Sequence, residues 1–138
     1  MGDCPAGNDR SVIILIMTVA VDFDGTLHTG NWPEIGAPAP YAIEVMKRLH
    51  DDGHRLIIWT CREGKLQTDM INWLLEKGIP FDRINDHLPG SWEEYGYSAQ
   101  KVFADVYIDD NNLGGLPTWN EIYHIISGKV KPVWHYEL

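Results

Sequence analysis

Residues 12–23, VIILIMTVAVDF, form an apolar run in which hydrophobic and polar side chains do not alternate. A half-exposed strand alternates, so a run of this kind predicts a central strand covered on both faces, the mark of a parallel sheet. The run is too short to cross a bilayer. Asp3 and Asp9 spoil the positive flank of a signal peptide, no small-x-small cleavage pattern follows, and the run leads directly into an acidic motif. Met17 is an alternative start, which makes residues 1–16 an extension and residues 17–138 a single domain. A chain of 138 residues suits one domain.

Downstream, strand and helix patterns alternate. Ala42, Val45, Met46 and Leu49 recur at helical spacing over residues 41–52, and Gly53 ends that helix. A strand is predicted over 55–60. A helix over 66–77 carries Leu66, Met70, Trp73 and Leu74 on one face and is stopped by Gly78 and Pro80. Residues 81–84 read as a short strand, 85–98 as irregular, 99–103 as a short helix, 104–108 as a strand, 111–117 as a loop, 119–127 as a helix and 130–136 as an edge strand. Such alternation predicts an α/β fold with a mainly parallel sheet and right-handed crossovers. Ligands of these sheets sit beyond the carboxyl ends of the strands.

The strand ends therefore matter most. The first ends in Asp22-Phe23-Asp24-Gly25-Thr26, the second in Thr60 and the last in Asp109-Asp110, with Lys101 shortly before it. Unpaired carboxylates gathered at one sheet edge are costly. A cation among them removes the cost, and an all-oxygen donor set suits Mg²⁺ rather than zinc. Asp22 and Asp24 project to the same side of an extended chain. Asp22, at the strand end, is the expected nucleophile toward phosphorus. Asp24 is the expected general acid and base, its pKa raised in part by the neighbouring carboxylate. Thr60 is expected to donate to a phosphoryl oxygen and Lys101 to neutralise another. The Asp22 carboxylate, the Asp24 carbonyl and Asp109 are the expected Mg²⁺ ligands, with Asp110 either joining them or orienting Lys101. Gly25 permits close backbone approach to a ligand, and Gly25 and Thr26 are expected against substrate.

DFDGT, a strand ending in Thr60, then Lys101, then YIDD resemble the four ordered motifs of the haloacid dehalogenase-like (HAD) superfamily, over residues 19–110. The resemblance implies a three-layer Rossmann-like fold, Mg²⁺ dependence and phosphatase activity. The second Asp of DxD resembles phosphatases and phosphomutases rather than dehalogenases. The spacing of eight between Lys101 and Asp109 is short for the family. Caps of this family are inserted after the first motif or between the second and third. Here the first gap holds only a flap, and the second is nearly filled by one helix, one strand and a loop. The chain thus resembles small capless bacterial members, whose site stays open unless a second copy of the chain covers it.

Other features constrain partners. The net charge of −9 argues against long nucleic acid and leaves a small phosphorylated substrate. Cys4 and Cys61 form neither a disulfide framework nor a zinc motif, which fits a reducing cytoplasm. Arg62 is placed to clamp a second anionic group or to pair with Glu63, His28 to touch substrate, and Trp32 and Trp92 to line the mouth. A receiver domain uses similar residues, but its acidic pair follows the first strand. A phosphomutase needs a cap to exclude water. A retired HAD domain serving as a binding module is the remaining alternative.

Overall fold

A computed structural model of the chain describes residues 15–90 and 100–128. Strand β1 is Thr18–Val21, followed by helix α1, Ala42–Asp51, strand β2, Arg55–Ile58, and helix α2, Gly64–Lys77. Strand β3 is Arg83–Ile84, β4 is Val106–Ile108 and helix α3 is Trp119–Ile126. The sheet order is β3-β2-β1-β4, and every neighbouring pair is parallel. This is an α/β fold, as the alternation predicts.

β1 lies inside the sheet, and its Val19, Ala20 and Val21 are buried. The strand is shorter than the apolar run. Thr18 pairs with Arg55 and Val19 with Val106, the first residues of β2 and β4. Among the described residues before Thr18, Met17 still accepts the Arg55 N–H through its carbonyl, whereas Leu15 and Ile16 are exposed.

On one sheet face, Val19, Val21, Leu56, Ile58 and Ile108 pack with buried residues of all three helices, among them Met46, Leu49, Met70, Leu74, Trp119 and Ile122. The opposite face, Ala20 and Ile57 with Tyr107 at its margin, is covered by Leu88, Val102 and Ala104 from irregular segments. The three-layer arrangement is therefore not seen among the described residues. The short helix expected over 99–103 also has no helical turn in residues 100–103. The Tyr107 hydroxyl donates to the Val102 carbonyl at 2.6 Å and accepts from the Ala104 N–H at 3.1 Å, which ties that backbone down as a loop.

The helix ends follow local chemistry. Gly78 closes α2 in the left-handed region, with its N–H on the Leu74 and Leu75 carbonyls. Thr118 and Glu121 form a reciprocal capping box at the start of α3. The edge strand expected over 130–136 and Trp92 lie outside the described residues. No helix among the described residues is long and apolar enough to cross a membrane.

Candidate active site

Parallel strands end on the same side, and the ladder continues one residue past each end. The Asp22 N–H donates to the Ile108 carbonyl, Trp59 to Val21 and Asn85 to Ile58, each at 2.8 Å. The side chains that follow β1 and β4 are thus delivered to one edge. Asp22, Asp109 and Asp110 each offer a carboxylate oxygen, and these oxygens lie within 4.8 Å of one another. Burial, then a hydrogen bond with Asp110 and the charge of Asp109, push the Asp22 carboxyl up to about 8.

The cluster is held from behind by Thr26. Its hydroxyl donates to Asp22 Oδ2 at 3.0 Å and accepts the Asp110 N–H at 3.1 Å. The Trp119 indole N–H donates to the Thr26 carbonyl at 2.9 Å. Thr26 is fully buried, so it positions the carboxylates instead of facing substrate. Asp109 is held by the Asn111 N–H, which donates to its Oδ1 at 2.8 Å. Gly25, at φ +80°, lies beneath Asp110: a Cβ there would come 2.3 Å from Asp110 Oδ2. Gly25→Ala is therefore expected to cost about 1–3 kcal/mol for the left-handed backbone and to push Asp110 out of the cluster. Urea unfolding and Mg²⁺ titration check both effects.

Asp24 departs from expectation. Burial raises its carboxyl, but the Arg62 guanidinium and the His28 ring outweigh that, and its pKa lies below the usual carboxylate range. Arg62 Nε donates to Asp24 Oδ2 at 2.9 Å and Nη2 donates to Oδ1 at 2.7 Å, a two-point fork. His28 Nε2 lies 2.7 Å from Oδ1, while its Nδ1 accepts the N–H groups of Gly30 and Gly36 at 3.0 and 3.1 Å. Two donors on Nδ1 place the ring hydrogen on Nε2, so the contact is a hydrogen bond from a neutral imidazole. His28 and Arg62 are both buried, at 0 % and 1 % exposure. In this arrangement both hold Asp24, and neither presents itself to a substrate as expected.

The flap between β1 and α1 is built around these contacts. The Thr29 N–H donates to the Ala37 carbonyl and Ala39 to Leu27, so the two arms run side by side. Gly30 and Gly36 touch backbone to backbone, and a Cβ on Gly30 would lie 2.3 Å from the Gly36 nitrogen. Arg62 Nη2 also donates to the Pro33 carbonyl at 2.8 Å, and the guanidinium carbon lies 4.9 Å from the centroid of the exposed Trp32 ring and 5.3 Å from that of buried Phe23.

No protein-family model matches the chain. It is 28% identical over 74 residues to a Bacillus cereus protein named "Putative nucleotidase", over 54% of this chain and 39% of that protein. The chain thus spans about two fifths of the length of that curated relative. A solved structure, of the conserved protein coded by a locus from Bacteroides thetaiotaomicron, matches with a TM-score of 0.76 at 42% identity, over 85% of this chain and 94% of that one. This chain and that conserved protein belong to one family.

The remaining expected residues lie around this frame. The Thr60 hydroxyl accepts the Arg62 N–H at 3.1 Å, which leaves its own O–H to donate. Its backbone is clamped by Asn85, whose amide accepts the Thr60 N–H and donates to its carbonyl, both at 2.7 Å. Lys101 is exposed, with its ammonium 4.9 Å from the Tyr107 ring centroid. Among the described residues no ion pair joins Lys101 to a carboxylate. The roles of Asn85, and of Gly30 and Gly36 around His28, escape a reading by motif. The two glycines, six apart with a histidine two before the first, are the signal that was available.

Proposed function

We propose that the chain is a Mg²⁺-dependent phosphatase of the HAD type, which hydrolyses a phosphomonoester through an aspartyl-phosphate on Asp22. The observation that carries this is the convergence of Asp22, Asp109 and Asp110 within 4.8 Å. The donor set fits the ion: hard carboxylate oxygens suit Mg²⁺, and oxygens bonded at about 2.1 Å to one ion lie within about 4.2 Å of each other. The cluster therefore needs little contraction. The nucleotidase name of the Bacillus cereus relative supports a hydrolase acting on phosphate esters.

In this mechanism Asp22 attacks phosphorus, a new P–O bond forms to its carboxylate and the bond to the leaving oxygen breaks. Water then attacks phosphorus, inorganic phosphate leaves and the Asp22 carboxylate is regenerated. A bound divalent cation supplies charge neutralisation, which favours ionised Asp22 and screens the phosphoryl oxygens. Asp24, kept as a carboxylate by Arg62 and His28, is suited to accept the proton of that water. To protonate the leaving oxygen in the first half, it must take up a proton against the Arg62 fork. Thr60 donates its hydroxyl to a phosphoryl oxygen. Lys101, whose ammonium lies 4.9 Å from the Tyr107 ring centroid, is the cation proposed to neutralise a second phosphoryl oxygen.

The test is a panel of phosphomonoesters with Mg²⁺, then with chelator. Turnover is expected with Mg²⁺, lost in EDTA and restored by added ion; turnover indifferent to chelation removes the metal from the mechanism. The ion should also raise the melting temperature in a pH-dependent way. Asp22 keeps its proton up to about pH 8, and that proton must leave when the metal binds. Apparent Mg²⁺ affinity is therefore expected to climb by up to about tenfold per pH unit between pH 6 and 8. At a hundredfold excess over Kd the stabilisation is about 2.7 kcal/mol. Thermal melts at pH 6, 7 and 8, with and without Mg²⁺, read this directly.

A further inference from the structure

We propose that the exposed face of Trp32 is a stacking platform for a planar aromatic group on the substrate, so that the preferred substrate is a nucleoside monophosphate. This deepens the phosphatase reading and rests on it for the turnover half of the test. Trp32 is 56% exposed, whereas the aromatic ring beside it, Phe23, is fully buried. The flap holds it in place: the Gly30 and Gly36 N–H groups meet on His28 Nδ1, Glu34 N–H donates to the Asn31 carbonyl, and the Pro33 carbonyl accepts from Arg62. A ring fixed in advance binds at a lower entropic cost than one that must be ordered.

Its position ties it to the chemistry. The indole packs on the guanidinium of Arg62, and that guanidinium is hydrogen-bonded to both oxygens of Asp24. The platform thus stands one side chain away from the DxD carboxylate. An uncharged aromatic surface stacks on the π-face of any base. The net charge of −9 disfavours further phosphates along a strand, which points to a single nucleotide.

Trp32 also shields the Arg62–Asp24 pair from water, and the test must separate the two roles. The readout is the ratio of kcat/KM for a nucleoside monophosphate to kcat/KM for ribose 5-phosphate. Trp32→Ala is expected to lower this ratio about tenfold, mainly through KM of the nucleotide, and Trp32→Phe to restore most of it. A ratio unchanged in Trp32→Ala, with both substrates impaired together, would assign Trp32 to shielding alone and overturn the proposal. Binding is read separately from turnover by titrating nucleoside monophosphate and following tryptophan fluorescence. Quenching in the wild type that disappears in Trp32→Phe supports the platform; equal quenching in both, or none in the wild type, overturns it. A chain that is quenched in this way but turns nothing over sinks the phosphatase reading and leaves the platform standing.

Discussion

Asp22→Asn is expected to abolish turnover while making the metal-free chain more stable. An amide cannot form the phosphorylated intermediate, and loss of a nucleophile of this kind costs about 10⁴-fold or more in kcat. The gain in stability follows from the carboxyl being raised to about 8 by burial, Asp110 and Asp109. Unfolded, Asp22 releases its proton in the ordinary carboxylate range; folded, it keeps it until about pH 8. Between those limits the native state binds more protons, so the wild type loses stability as pH rises through the window. An asparagine has no such slope and still accepts the Thr26 hydroxyl. In EDTA the melting temperature of Asp22→Asn is thus expected to exceed that of the wild type by a margin that widens from pH 5 to pH 8, and the Mg²⁺ shift should vanish. Retained turnover, or a margin that narrows over that range, would contradict the role given to Asp22.

Arg62→Ala should have the largest effect on the fold itself. The guanidinium is buried, forks both oxygens of Asp24, bonds the Pro33 carbonyl and packs near Phe23 and Trp32. Its removal leaves Asp24 without its charge partner and opens space beside Phe23. Breaking a buried pair from one side costs about 3–5 kcal/mol. The lower end is expected here, because Arg62 Nη1 is buried with no partner among the described residues and that cost disappears with the side chain. Arg62→Lys keeps a charge but not the planar fork, and should recover less than half of the loss. Urea unfolding of the three proteins ranks them; an Arg62→Ala protein as stable as wild type would mean that the pair contributes nothing net.

Much of the frame was legible because it rests on periodicity. Ala42, Val45, Met46 and Leu49 sit on the buried face of α1 as their spacing predicts. The non-alternating VAV of β1 is buried on both sheet faces. The meeting of Asp22 and Asp109 was legible from topology, since parallel strands that end in acids bring those acids to one edge; Asp110, left open between the ion and Lys101, joins them there. Asp24 was legible in place but not in electrostatics, since its pKa depends on Arg62, 38 residues away, and on a histidine whose tautomer is set by two glycine amides. No local pattern encodes such a three-body contact. The helix expected over 99–103 is absent from residues 100–103, where the bonds to the Tyr107 hydroxyl outweigh weak local propensity.

Asp22 follows the strand that is bonded on both sides and packed above and below. Opening there would require most of the domain to come apart, whereas flaps and terminal loops open at far lower cost. A carboxylate in the role proposed for Asp22 is thereby isolated from the fluctuations of its surroundings. Substitutions in the flap can accumulate without loosening that side chain.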